Sequence, residues 1–346
     1  MVRRVTQADV AKAAGVSRQL VSLVVRGDKR VSPQRRTAVL QAIEELGYRP
    51  NAAAQSLASR TTNNLGLLVP SFENSFYGEF AEAFTRACAR RGLTALVNVS
   101  LSDPNREQEA IDRFVELRVD GLALISPLID QGVLQRAADE MSVCLVSNNV
   151  APQNVDLVHT NDFEGARSCA LHLLDQGYRD VVFLGPFRNI KGDTTYERIY
   201  GYRAAMEQRG RRDDITVIIV DDRADVAARE VLDEFGADTG IVCHNDLLAV
   251  ELLMAIHNRG LVPGAHVGVT GFDNTRLAYM PELSLTSVDQ QLEGLAEASV
   301  SVLMERLDNP DAPQRDIVLE PRLMPRGSSN PHRCGEYGPR SLPKTN

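Results

Sequence analysis

Arg18 and Gln19 stand side by side three and four residues beyond Gly15, in the stretch Thr6 to Val25, TQADVAKAAGVSRQLVSLVV. An arginine can bond both acceptors of a guanine edge, and a glutamine the acceptor and donor of an adenine edge. That chemistry is useful only on a helix narrow enough for the major groove and held there by a scaffold. The flanking residues supply one. Thr6 with Asp9 three positions on makes a capping-box-like start, and Val10, Ala11 and Ala14 form a small apolar stripe for a helix ending at Gly15. Ser17 caps a second helix in which Val21, Val24 and Val25 recur at helical spacing and pack inward. Arg18, Gln19, Ser22 and Leu23 are left facing outward. A third helix is expected from Ser32, with Pro33 in its first turn, through Val39, Leu40, Ile43 and Leu46 to Gly47, its stripe closing a three-helix core.

Charge separates this head from the remainder. Residues 1–60 carry 11 Lys and Arg against 4 Asp and Glu, a balance of +7, so the other 286 residues of this chain of net charge −8 stand at −15. A phosphate backbone attracts the first segment and repels the second. With 346 residues, 43% of them hydrophobic, the chain has room for a small head and a large globular body. Nothing near Met1 resembles a signal peptide and no apolar run reaches about 18 residues, so a cytoplasmic protein without membrane partners is expected. Cys88, Cys144, Cys169, Cys243 and Cys334 show no CxxC spacing, which argues against zinc and against a disulfide framework; four lie in apolar runs as small hydrophobes.

From about residue 62, short apolar runs alternate with amphipathic helices, the pattern of a parallel sheet covered on both faces. The strand candidates are 65–69, 94–99, 121–125, 143–146, 181–184, 216–220, 240–243 and 267–271. Helices are expected between them, among others over 77–91, 107–118, 165–176, 198–208, 226–235 and 246–259. Two successive doubly wound α/β units result, one before and one after about residue 160, with the default ligand site in the cleft between the carboxyl ends of their strands.

The landmarks Asp9-Val10-Ala11, Gly15-Val16-Ser17, the run Leu46 to Ala54, Asp120-Gly121-Leu122, Asn245-Asp246 and Gly271-Phe272-Asp273-Asn274 occur in order from Thr6 to about Pro325. In that order the chain closely resembles the LacI/GalR (lactose-repressor) family of bacterial transcription regulators. The resemblance implies an all-α helix-turn-helix head (1–49) and a hinge helix with linker (50–61). It also implies a two-lobed body like periplasmic sugar-binding proteins (62–325) that dimerises and binds a small effector. Lobe one is placed at about 62–160 and lobe two at about 161–288, with crossovers near 160, 289 and 320. Residues 326–346, rich in Gly, Pro and Ser, are expected to form a disordered tail.

By resemblance, Arg18, Gln19 and Leu23 match base-reading positions, and Thr6, Ser17, Ser22, Arg26 and Ser32 match phosphate contacts. Leu23 departs from the usual polar residue and can touch only an apolar edge such as a thymine methyl. Asn51 to Ser59, NAAAQSLAS, is too short for a stable isolated helix, so it should order only against its twin and DNA. Asn51 opens it, and Leu57 matches the hinge leucine, similar to wedges inserted between base steps. A symmetric homodimer implies a near-palindromic double-stranded operator. Arg198 matches the arginine that grips the effector, its five donors suited to hydroxyl pairs. Asp273, directly after a strand, could accept from two sugar hydroxyls. Asn245 and Gln290 add amides at the same edge, while Ser126 and Asn148 follow strands of the first half. Phe76 is either a ring for a sugar face or a core aromatic. Asp246 is expected to cap the helix it begins, His244 could reach the cleft, and Asn161 and Asp162 receive no role.

A nucleotide-dependent enzyme is the main rival on such a fold. No GxGxxG follows the first strand and no GxxxxGK[ST] occurs, so phosphates have no evident cradle, and six isolated histidines offer no metal-ligand pairs. The sequence therefore points to a repressor with no cofactor and no metal, controlled by a sugar or, as the alternative, a purine or other metabolite.

Overall fold

A computed structural model describes residues 5–25, 28, 30–49, 61–186, 192–220 and 231–330. The chain divides into two compact units, Met1–Thr62 and Asn63–Asn346. In the first, α1 (Gln7–Ala13), α2 (Arg18–Val25) and α3 (Pro33–Leu46) enclose a core of Val10, Ala11, Val21, Val24, Val31, Val39, Ala42 and Tyr48. The capping box at α1 is reciprocal: Thr6 Oγ1 accepts from Asp9 N at 3.4 Å, and Asp9 Oδ2 accepts from Thr6 N at 2.9 Å. Ser17 Oγ accepts from Leu20 N at 3.2 Å to start α2, and Gly47 at φ 60° ends α3. Two expectations fail here. The stripe of α3 runs through Val39, Ala42 and Ile43, so Leu40, one residue off that face, is 51% exposed, and Leu46 in the last turn is also exposed. Leu23 does not simply face outward; it is half-buried against the head core.

The second unit holds two six-stranded sheets. The first is ordered β11-β5-β4-β3-β1-β2 and is built from β1 (Asn64–Val69), β2 (Thr94–Val99), β3 (Gly121–Ile125), β4 (Ser142–Val146), β5 (Val155–Thr160) and β11 (Asp316–Leu319). Its pairings are all parallel. One face packs on α4 (Ser75–Arg90) and α10 (Leu292–Asp308), the other on α5 (Pro104–Glu116) and α6 (Gln131–Glu140). The second sheet is ordered β12-β10-β9-β8-β6-β7. It comprises β6 (Asp180–Gly185), β7 (Thr216–Ile219), β8 (Thr239–Cys243), β9 (Val267–Asp273), β10 (Thr286–Asp289) and β12 (Arg322–Met324), the last antiparallel to β10. Its faces are covered by α7 (Asp162–Asp175) with α8 (Thr194–Gln208), and by α9 (Asp246–Asn258) with helical residues 231–235.

The chain passes between the sheets three times, at 160–162, 289–292 and 319–322. Asp156 fastens the late segment to β5: its carboxylate takes Arg306 of α10 at 2.6 and 2.8 Å and Arg315, just before β11, at 3.1 Å. Strands β5, β10, β11 and β12, and helices α6 and α10, were not among the elements singled out from sequence. The expected disordered tail is corrected at its start. Residues 327–329 form a 3-10 turn in which Ser328 Oγ donates to Val269 O at 2.6 Å, and Ser329 Oγ meets His172 Nε2 at 2.8 Å. Residues 331–346 lie outside the described residues.

Candidate functional site

Strand order fixes where a cleft must open. In each sheet the chain reverses its winding once, between β1 and β3 in the first and between β6 and β8 in the second. Loops leaving such a switch point at the carboxyl ends part from one another and leave a crevice. One cleft is lined from both sheets by these loops, and it contains all seven side chains expected at an effector site: Phe76, Ser126, Asn148, Arg198, Asn245, Asp273 and Gln290. Asn74, Tyr77, Ser147, Thr194, Thr195 and His244 join them, which sequence reasoning had not assigned apart from His244.

Arg198, in the second turn of α8, is 4% exposed. Its Nε donates to Asp162 Oδ1 at 2.7 Å, its Nη1 to the His244 carbonyl at 2.5 Å, and its guanidinium lies 3.7 Å from the centre of the Phe272 ring. Asp162 thus has a role that the sequence left blank: it holds the arginine rigid, while Asn161 caps α7 by accepting from Glu164 N. Burial pushes the Asp162 carboxyl up even though Arg198 opposes the shift.

Asp273 ends β9 at φ 118°, a left-handed conformation that a non-glycine residue adopts only under constraint. Its Oδ1 accepts from Gln290 Nε2 at 2.6 Å and its Oδ2 from Asn74 Nδ2 at 3.2 Å, a bond from the first sheet to the second. Asn74 also caps α4 through Phe76 N. Asp246, expected as a cap, is not one. Asn245 caps α9 by accepting from Leu248 N at 2.9 Å, and the Asp246 carboxylate turns inward to take Thr275 N at 2.8 Å, Thr275 Oγ1 at 2.9 Å and Ser287 Oγ at 2.5 Å. It thereby fixes the loop that presents Asp273. Burial raises both carboxyls, and each disfavours ionisation of the other.

Phe76 lines the cleft and also packs against Phe80 and Tyr77 in the core. Ser126 donates to the Ser147 carbonyl, and Asn148 Oδ1 accepts from Val150 N. Two buried atoms of the lining, Gln290 Oε1 and Ser147 Oγ, have no partner among the described residues. The four described cysteines are buried with thiols pushed up by burial, which leaves no activated thiol nucleophile among them. Among the described residues no cluster suits a metal and no helix is long and apolar enough to cross a membrane.

In the head, Arg18 and Gln19 are exposed in the first turn of α2, beside exposed Ser17, with Thr6 and Ser32 exposed at the starts of α1 and α3 and Ser22 half-buried. Ser17 and Thr6 are also caps, so their hydroxyls already serve the helices. Arg26, Asn51 and Leu57 lie outside the described residues.

Residues 6–51 match the model for bacterial regulatory proteins of the lacI family, and residues 170–329 that for a periplasmic binding protein-like domain. The HTH-type transcriptional regulator DegA of Bacillus subtilis (strain 168) is 31% identical over 335 residues, 93% of this chain and 97% of its own length. The chain belongs to the LacI family. The HTH-type transcriptional repressor PurR of Salmonella arizonae is 29% identical over 92% of the chain and 95% of its own length. Among solved structures, a lac repressor dimer bound to operator and the anti-inducer ONPF superposes with a TM-score of 0.81 at 25% identity, covering 95% of this chain and 100% of that one. The transcriptional regulator CelR in complex with cellobiose gives 0.68 at 27%, covering 94% and 100%. This LacI-family chain is accordingly a DNA-binding transcriptional regulator controlled by a small-molecule effector, not an enzyme.

Proposed function

We propose that the chain is a cytoplasmic repressor that holds a near-palindromic operator as a homodimer, and that its operator affinity responds to an uncharged, hydroxyl-rich effector, a sugar or related polyol, bound in the cleft. The observation that carries the choice of effector is the lining itself. Amides and hydroxyls dominate it, Gln290 Oε1 and Ser147 Oγ lack partners among the described residues, and its one described arginine is already paired with Asp162, while Asp193 adds a carboxylate and burial holds the Asp273 carboxyl toward its protonated form. Buried polar atoms without partners favour a ligand that supplies them. Among the described lining residues an anion would meet Asp193 but no unpaired arginine or lysine. In the head, Arg18 and Gln19 are proposed as base readers, with Thr6, Ser17, Ser22, Leu23, Arg26 and Ser32 around them and Asn51 and Leu57 in the hinge.

The test is thermal unfolding of the full chain with D-glucose, D-ribose, cellobiose, D-glucose 6-phosphate, hypoxanthine and adenosine. A ligand at about 100 times its Kd stabilises by about 2.7 kcal/mol, which the melt resolves. At least one neutral sugar should raise the Tm; a rise with the phosphate or the purines alone would overturn the polyol reading. Asp273→Ala should abolish the response while leaving effector-free operator binding intact. Equal loss of both would contradict the division between sensor and reader.

A further inference from the structure

One wall of the cleft is a loop, residues 126–129 between β3 and α6. Ser126, Pro127 and Leu128 of this loop line the cleft, with Ser126 at φ 43°. Pro127 has no N–H, and the next two amides, of Leu128 and Ile129, both donate to a single atom, Glu107 Oε2, at 2.8 and 2.9 Å. Glu107 belongs to the first turn of α5 and does not itself line the cleft. Its position is unusual for a carboxylate. With Ala110, Ile111 and Phe114 it occupies the buried stripe of α5 at helical spacing and is 1% exposed, its second oxygen 3.4 Å from Ser100 Oγ. A charge is costly in such a place unless it is hydrogen-bonded. Burial pushes the carboxyl up and the two amides pull it back. Every other group on that stripe is apolar, so the packing of α5 alone gives no reason for a glutamate; the two convergent amides do.

We infer that Glu107 is a positioning residue for effector binding: it fixes the loop that forms the first-sheet wall of the cleft without touching the ligand. This rests on the cleft being the effector site. Asp246 performs the same task across the cleft, gripping the loop at 275 from the first turn of α9. Both walls are thus held from behind by a buried carboxylate in a first helical turn, where the helix dipole also favours negative charge.

The experiment compares Glu107→Ala, which removes the acceptor, with Glu107→Gln, whose amide oxygen can still accept from both N–H groups. Full-chain variants are read by amide exchange at Leu128 and Ile129, by calorimetric titration with D-glucose, D-ribose and cellobiose, and by effector-free operator binding. Glu107→Ala should speed exchange at the two amides at least about tenfold and weaken whichever sugar binds the unaltered protein by about tenfold, with operator affinity unchanged. Glu107→Gln should restore both. Unchanged protection or sugar affinity in Glu107→Ala, or equal damage in the two variants, overturns the inference. If the alanine variant does not fold, Glu107→Asp, which draws the acceptor back by one methylene, replaces it with the same expected outcomes. If no sugar binds the unaltered protein, the polyol reading fails while the exchange measurement still decides the anchoring.

Discussion

Asp273 and Asp246 make the cleft sensitive to protons. Burial raises both carboxyls above the ordinary range of about 4, and each opposes the ionisation of the other, so they titrate as a pair. A carboxyl raised on folding binds its proton more tightly in the native state. The stability it contributes is complete below about pH 4 and is lost as pH climbs through the raised values. Asp273→Asn removes one member. Its Tm should therefore gain on that of the unaltered protein as pH rises from about 5 to about 8; parallel curves would show that the pair carries no such penalty. At this scale the sequence marks Ser126, Asn148, Asn245 and Asp273 because they follow strands, where doubly wound sheets present ligand groups, Gln290 because it stands at a crossover, and Arg198 through the family resemblance, while Phe76 is offered only as an apolar ring. It does not mark Asn74, Asp162 or Glu107. Their partners lie 199, 36 and 21–22 residues away, at Asp273, Arg198 and the 128–129 amides, and nothing local announces those meetings.

Two glycines inside helices show how differently elements tolerate the same change. Gly201 lies where α8 crosses α7, and a methyl there would collide with the backbone carbonyl of Phe163. Gly78, in the first half of α4, has only a Phe72 ring carbon 3.9 Å from where a methyl would sit. Gly201→Ala should destabilise by about 1–3 kcal/mol through overpacking, whereas Gly78→Ala should stabilise by up to about 1 kcal/mol through helix propensity. Urea midpoints with unchanged slope would read both, and shifts of the same sign would refute the contrast. Element recognition from sequence followed the same logic of locality. Long amphipathic helices and fully apolar strands stand out, while β11 and β12, four and three residues long at the sheet edges, owe their existence to neighbours β5 and β10. Leu40 and Leu46 mislead because α3 satisfies its small core with Val39 and Ala42 instead.

At the scale of the whole molecule, a chain of net charge −8 is expected to bind a polyanion because +7 of charge is gathered in its first 60 residues. Operator binding should then weaken steeply with salt, at least about tenfold between roughly 50 and 200 mM. A salt-independent affinity measured by anisotropy would remove the head as the reader. The threefold passage of the chain between its sheets has a consequence for synthesis. Helix α10 and strand β11 complete the first sheet, yet they follow almost all of the second. The three-helix head is therefore synthesised first, while the first sheet waits for residues 292–319 near the end of the chain. Any product cut short before residue 292 would lack α10 and β11, and with them the completed sheet from which the first wall of the cleft is built.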